Sequence, residues 1–525
     1  MNNLIEYVSK IPDLAGFESY LCQRFEANLI KKFIKMRQRF EQQTTLGILP
    51  ISEAKFPLRS RDELPPVLKA LQYIFITPEL NEKIFQLLEQ KICLGKKKTG
   101  RTGMDLWHIL VLAVVRHALD TNWDRLEDEA NNHKLIRQIM GVCPNDFGIE
   151  EKEFKYQTIV DNVSLIDEEL LQQINRIVVE HGQFLFKKKD ETVLELKTDS
   201  YALETNVHFP TDLNLLWDSV RKVLDMVEKL TGGSNGWRKI KFIRRNAKCL
   251  FRAASQQVFR GGKKDPATIE QYVKEYLQFA KQILQRSKSI IPKTGSIMAF
   301  VWLAELQKYQ QYLEKFIDQV ERRLLQGEEI PASEKIFSIF EPHTEWIKKG
   351  KLFPNVELGK LLLITTDQYQ FIVDYKVMEH EKDAVQVAPL YARIKTYFSQ
   401  ATIASHSFDK GFFSKANFDL VSDAGTGQVI MPKKGRKNKQ EQERESQPQF
   451  KKLRNKHSAV ESNINMLEHH GLNRCPDKGL QALKEYVGFS VLAYNLHILG
   501  NELIARERKK EEQRQNQQAR NRQAA

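Results

Sequence analysis

Three carboxylates in this sequence have the type and setting for divalent-cation chemistry: Asp199, Asp409 and Glu461. The first two each follow a run that reads as a strand, Thr192–Thr198 (TVLELKT) and Thr402–Phe408 (TIASHSF). In open α/β sheets, ligands gather at the carboxyl edge of the strands. If the two strands are neighbours, both aspartates project from that edge. Glu461 lies in HSAVESNINMLEHHG, where helical spacing gives Val460, Ile464 and Leu467 as an apolar stripe. His457, Glu461, Asn465 and Glu468 form a polar row beside it, so such a helix packs on a sheet and turns the row toward its edge. Three converging oxygen-rich side chains suit two hard cations such as Mg²⁺, with Mn²⁺ as the alternative. Two ions about 3.5–4 Å apart promote phosphoryl transfer. On this reading Asp199 bridges the ions, and Asp409 and Glu461 hold one each.

Plainer readings stand beside this one. A strand-terminal aspartate is often a turn or helix cap. Ser458-Ala459-Val460-Glu461 also matches the S-x-x-E capping box, in which the glutamate only satisfies a backbone N–H. Asp374, Glu381 and Asp383 are able to replace a member, and His208, His380 and His457 read as structural. Spacing alone leaves these alternatives open.

The elements that must position the three residues follow from periodicity. Up to about residue 185 the chain reads as helical, with Leu80–Leu94 after Thr77-Pro78, Asp105–Leu119, and Asp167–Gly182 closed by a C-cap glycine. Gly100–Gly103 breaks the chain between the first two. After the Asp199 strand come a second extended piece, Leu203–Phe209, and a helix Leu213–Leu230 capped by Thr211 or Asp212. Lys360–Thr366 and Tyr369–Met378 read as a hairpin around Asp367-Gln368, followed by a helix Val385–Phe398, the Asp409 strand and a short strand Val429–Met431. Beyond a low-complexity basic tract, Lys433–Lys456, lie the Glu461 helix, an apolar helix Gly479–Leu499, and a charged, Gln-rich tail that reads as a frayed helix or as disordered.

Composition narrows the partner. Across 525 residues the net charge is +14 and the pI about 9.2, which points to a polyanion, either nucleic acid or an anionic membrane surface. No run of about 18 apolar residues is present to span a bilayer, and MNNLIEYVSKIPDL lacks the pattern of a secretory leader. Cys22, Cys93, Cys143, Cys249 and Cys475 are scattered without a CxxC pair, which predicts reduced thiols in a cytosolic compartment and no structural zinc. From Trp237 to Lys264 there is no acidic residue, and basic residues alternate with aromatic ones. Arg238, Lys241, Arg244 and Arg245 there, and Lys433, Lys434, Arg436, Arg454 and Lys456 in the later tract, are the candidate DNA contacts.

Around the three carboxylates the sequence resembles the DDE transposases of bacterial insertion sequences, especially the ISNCY-like group. The stretch KTDSYALETNVHFPTDLNLLWDSVRK is similar to that family's first-aspartate block, SFDKGFFSKAN to its second, and HSAVESNINMLEHHGLNRCPDKG to its third-carboxylate region. Upstream, the stretch from Thr99 to Gly141 resembles its N-terminal helical domain, and the resemblance covers most of residues 75–500. Many relatives carry Tyr and Arg before the glutamate and Lys seven residues after it; here Arg454 and His457 precede it and Glu468 follows.

The resemblance implies an α/β fold: an RNase H-like catalytic core with a large helical insertion, preceded by an all-helical domain. Residues 1–185 would be that domain, for DNA-end binding or dimerisation. Residues 186–211 would begin the core, 212–350 form the basic insertion, 351–500 complete the core with a basic linker at 433–456, and 501–525 form the tail. Asp199, Asp409 and Glu461 fall on the catalytic, Mg²⁺-binding positions. The implied activity is metal-dependent cleavage at transposon ends and strand transfer into target DNA by a homodimer or higher multimer. Its partner would be double-stranded DNA, both terminal inverted repeats and target, and its place the bacterial cytoplasm at the nucleoid. A nuclease or resolvase that cuts without joining, and an inactive DNA-binding repressor, are the alternatives.

Overall fold

The structure is a computed structural model. It describes residues 38–40, 49–93, 103–142, 152–187, 193–234, 236–262, 265–290, 297–348, 355–399 and 401–524. Most of the break expected at Gly100–Gly103, the start of the Asp199 strand at Thr192, Cys22 and Cys143 lie outside the described residues.

The chain begins with helices α1 (Leu64–Ile76), α2 (Pro78–Ile92), α3 (Leu106–Ala118), α4 (Trp123–Asn132), α5 (Lys134–Ile139), α6 (Tyr156–Val163) and α7 (Glu168–Phe186). Strand β1 (Val193–Thr205) follows, then helices α8 (Asp212–Thr231), α9 (Ile240–Phe259), α10 (Pro266–Lys288) and α11 (Ile297–Val320). Next come β2 (Glu345–Lys348), β3 (Val356–Thr366), β4 (Ile372–Val377), α12 (Asp383–Tyr397), β5 (Thr402–Phe408), α13 (Lys415–Asp423) and β6 (Gln428–Ile430). The chain closes with α14 (Lys439–Ser446), α15 (Pro448–Lys456), α16 (Ala459–Leu467), β7 (Arg474–Cys475) and α17 (Leu480–Ala524). The fold is mixed α/β, and no helix among the described residues is long and apolar enough to cross a membrane.

One mixed sheet runs in the order β2-β3-β1-β5-β6. β1 pairs antiparallel with β3 and parallel with β5, and β5 is parallel to β6. β4 extends the antiparallel part on the far side of β3, and β7 adds two residues beside the end of β1. β1 is thus central. The connection from β1 to its antiparallel partner is not a short turn but carries α8–α11, pinned at its base by Thr205 and Thr344, whose hydroxyls are 2.9 Å apart.

Two apolar cores result. One joins the N-terminal helices, the sheet and α17; the other lies within α8–α11 and the segment that follows them. α8 shows why the second forms. Thr211 caps it by accepting from the Asn214 N–H, Gly232 ends it in the left-handed conformation at φ 57°, and Leu213, Leu216, Val220, Val223, Leu224 and Val227 supply one buried stripe. In the first core α17 runs against α1, α3 and α7, burying Val487, Leu492, Tyr494 and Leu499.

Several expectations are corrected. Gly182 does not end its helix but sits inside α7, where an added Cβ would lie 2.4 Å from Phe371 Cζ. The glycine is there for close packing against the β4 hairpin. Because Phe371 is fully buried and held edge-on by Phe186, Gly182→Ala is expected to cost about 1–3 kcal/mol in a denaturant melt. The extended piece Leu203–Phe209 is not a second strand; its first part continues β1, and the chain leaves the sheet after Thr205. The basic tract folds into α14 and α15, with Asn438 and Glu441 forming a complete capping box. Of the two readings of the tail, the helical one holds: it continues α17 to Ala524. Cys93, Cys249 and Cys475 are free thiols.

Candidate active site

The site is set by one stretch of parallel register. β1 and β5 pair from Val193↔Thr402 to Thr198↔Phe408, so Asp199 and Asp409, the next residue on each strand, stand side by side. Asp409 does lie at the end of its strand. Asp199 does not: β1 continues past it along β3, with Asp199 opposite Ile364. What opens the sheet there is the departure of β5.

A buried polar chain fixes that point. Thr198 Oγ1 lies 2.7 Å from both Thr365 Oγ1 and His406 Nε2, and His406 Nδ1 lies 2.8 Å from the Tyr391 hydroxyl. β3, β1, β5 and α12 are therefore tied together one residue before the first carboxylate. His406 is fully buried and stays neutral, its pKa driven well below the ordinary value by desolvation.

Glu461 arrives from above. α16 buries Val460 and Leu467, packs over β1, and leaves Glu461 exposed. The capping-box reading fails here, because Ser458 makes no side-chain cap bond and instead donates its hydroxyl to the Asn455 carbonyl at 2.9 Å. The cap reading fails for Asp409 as well, since its side chain caps nothing in the turn that follows. His457, one turn before Glu461, ties the helix to the sheet through Ser407 Oγ, 2.9 Å from its Nδ1. Burial lowers its pKa, opposed by the negative charges of Asp409 and Glu461.

Asp383 is a fourth member. At the first turn of α12, its Oδ1 accepts from Ser200 Oγ at 2.7 Å. Its other oxygen lies against the backbone at Gly411, where any Cβ would come within 2.7 Å of it. Burial raises its pKa; the Ser200 bond opposes this and the Asp409 charge adds to it. If the cluster holds a divalent cation that drives DNA nicking, Asp383→Asn is expected to lower single-turnover nicking about 10–100-fold, as for a residue that supports metal ligands.

The electrostatics converge on Asp199. Its pKa is pushed up to about 7, first by burial and then by the charges of Asp409, Asp383 and Glu461, against the bond its Oδ1 accepts from the Ser200 N–H at 2.8 Å. Among the described residues none of the four carboxylates forms an ion pair. Lys197, on the same face of β1, points its ammonium to the Asp367 carbonyl instead, at 3.4 Å. Such a cluster lacks positive charge, and its all-oxygen donor set fits a hard divalent cation. As the side chains stand, no three His, Cys, Asp or Glu groups among the described residues are gathered to ligand distance.

Other candidates are engaged elsewhere. Asp374 is buried in a two-bond pair with Arg393 (2.7 and 2.8 Å), and Glu381 is bound to Lys376. His208 faces Asp218, and His380 is exposed near Glu345. Of the basic residues, Arg238, Lys241, Arg245, Lys434, Arg436 and Arg454 are exposed. The other three candidates have acidic partners within the chain. Arg244 is held by Asp225 (2.8 Å) and Glu228 (2.7 Å), Lys433 by Glu441 (2.9 Å), and Lys456 lies 3.4 Å from Glu195.

Sequence reasoning missed Ser200 and the Thr198–His406 and Ser407–His457 pairs. The signal was present in TIASHSF, where Ser405, His406 and Ser407 interrupt a strand whose position requires burial. No family model matches this chain, and neither does any curated protein or solved structure.

Proposed function

We propose that this chain is a DNA-cutting and DNA-joining enzyme, a transposase of the insertion-sequence type with an RNase H-like core. The observation that carries the reading is the parallel β1–β5 register, which sets Asp199 beside Asp409, with the Glu461 helix over β1 and no counter-cation among the described residues. Strand order supports it as well. Three antiparallel strands, β4-β3-β1, followed by two strands parallel to β1 are the order that an RNase H-like core would have, with Asp199 and Asp409 on what would be its first and fourth strands.

Asp199, Asp409 and Glu461 would hold two Mg²⁺ ions, with Asp383 supporting them; Mn²⁺ would serve in their place. Bound there, the ions make water a stronger nucleophile and stabilise charge on the attacked phosphate. The protein's own groups set the stage. The Thr198–His406 pair fixes β1 against β5, Ser200 orients Asp383, and Ser407 with His457 holds the Glu461 helix to the sheet. In the first reaction a water oxygen bonds to phosphorus and the bond to the 3′ oxygen breaks, leaving a 3′-OH at the element's end. In the second, that 3′ oxygen bonds to a target phosphorus and displaces the target's own 3′ oxygen.

The test supplies the protein with Mg²⁺, pre-cut DNA ends flanking its own coding sequence, and a target plasmid. Joined product is expected. Cleavage of uncut ends without joining would favour a resolvase-like nuclease, and binding without cleavage an inactive repressor.

A further inference from the structure

The active site leaves unanswered which basic surface holds the nucleic acid, and helix α9 answers it. Ile240, Ala247 and Ala254 face the core of the helical insertion. About 130° round the helix from them, Lys241, Arg245, Lys248 and Arg252 are spaced four, three and four residues apart and are all exposed. At 100° per residue these four fall within one narrow arc, so they form a single solvent-facing row. At about 1.5 Å rise per residue the row spans about 16 Å, enough to reach both rims of a duplex groove about 12 Å wide. Among the described residues none of the four has an ion-pair partner, whereas Arg244, off the row, is taken by Asp225 and Glu228.

An ordinary solvated helix face looks different. On neighbouring α10, Lys274, Lys281 and Lys288 are matched by Glu270, Glu321 and Glu314. The later basic tract is also partly neutralised from within, Lys433 and Lys437 pairing with Glu441 and Glu445. The α9 row has no such acids beside it: the sequence has none from Trp237 to Lys264. Phe242, 57% exposed, stands at the flank with the Arg245 guanidinium 5.4 Å from its ring.

We propose that the outward row of α9 is the principal phosphate-gripping surface of this protein for double-stranded DNA, with Arg238 extending it at the helix start. This assignment rests on the transposase reading and names its DNA-holding surface. Charge complementarity selects a polyanion, and a rigid row of regularly spaced cations matches the regular phosphates of a duplex.

The test is fluorescence anisotropy with a labelled duplex over a KCl series in EDTA, so that no chemistry is required. The variant Lys241→Gln/Arg245→Gln/Lys248→Gln/Arg252→Gln is expected to bind about 100-fold more weakly near 0.1 M salt, with the log–log salt slope shallower by about 3–4. A control, Lys509→Gln/Lys510→Gln/Arg514→Gln/Arg520→Gln on α17, removes equal charge and is expected to stay within about threefold of wild type. Equal losses in both variants would overturn the assignment, reducing it to net charge. Unchanged binding in the α9 variant would overturn it while leaving the transposase reading intact. Wild-type protein that binds no duplex at all would overturn both. Cosedimentation with phosphatidylserine vesicles that is lost in the α9 variant, while DNA binding persists, would assign the row to a membrane surface and overturn it too.

Discussion

If the proposed function holds, Asp199→Asn, Asp409→Asn and Glu461→Gln are each expected to lower divalent-cation-dependent nicking by at least about a thousandfold, with binding of duplex DNA within about threefold of wild type. Each change is nearly isosteric and removes one negative charge from a cluster that has no positive partner among the described residues. Glu461 is exposed on α16, so Glu461→Gln has little to disturb in packing. Asp199 and Asp409 stand next to each other only because β1 and β5 share a parallel register. That register is held by Thr198 and His406, which none of the three changes touches. Losses of this size with binding retained mark residues that act on the reaction and not on docking. Joining of pre-cut ends should fall in parallel with nicking, because on the proposed function one cluster would serve both reactions. Full activity in Glu461→Gln, combined with a thousandfold loss in Asp383→Asn, would give the third position to Asp383 instead.

The second large effect is on stability, and its sign follows from protonation. The Asp199 carboxyl has an ordinary pKa of 3.8 and is pushed up to about 7 in the fold, chiefly by burial and then by three neighbouring carboxylates. Between those values the folded state binds more proton than the unfolded chain, so stability falls as pH rises from about 4 to about 7, and the loss is complete above that. The full shift corresponds to ~4 kcal/mol against the ionised form. Partial solvent access reduces what is realised, so cation-free Asp199→Asn is expected to be more stable than wild type by roughly 1–3 kcal/mol at pH 8. The difference should vanish near pH 4. Added Mg²⁺ or Mn²⁺ competes with the proton and should stabilise wild type more at pH 8 than at pH 6, with little effect on the variant. Thermal melts across pH, with and without cation, read both effects. A wild-type protein whose stability is flat from pH 4 to 8 would contradict the placement of Asp199 among like charges.

Much of the framework was legible because period and punctuation are local properties. Thr402–Phe408 was readable as a strand ending at Asp409, and the cap of α8 as Thr211 or Asp212, of which the fold takes Thr211, since alternation and caps depend on neighbours in sequence. The length of β1 was not: its second half is held by β3 and β7, partners far along the chain. Gly182 shows the same limit, because a glycine near a helix end looks like a cap until the Phe371 ring is placed against it. For the site, residue types marked Asp199, Asp409 and Glu461, but Ser458-x-x-Glu461 was equally a capping box by spacing. The helical backbone of Ser458 (φ −56°, ψ −17°), whose hydroxyl bonds back to the Asn455 carbonyl, decided against the cap. Asp383 belongs to the cluster because α12 starts over the Ser200 side of the sheet, which no local pattern encodes.

Joint binding of divalent ions by these carboxylates is what the proposed function requires. Anomalous diffraction from crystals of the protein grown with Mn²⁺ and duplex DNA shows it. Two manganese peaks are expected between Asp199, Asp409 and Glu461, with loss of at least one in Asp409→Asn. Manganese bound only away from these residues, with the three carboxylates apart and nicking retained, would contradict it.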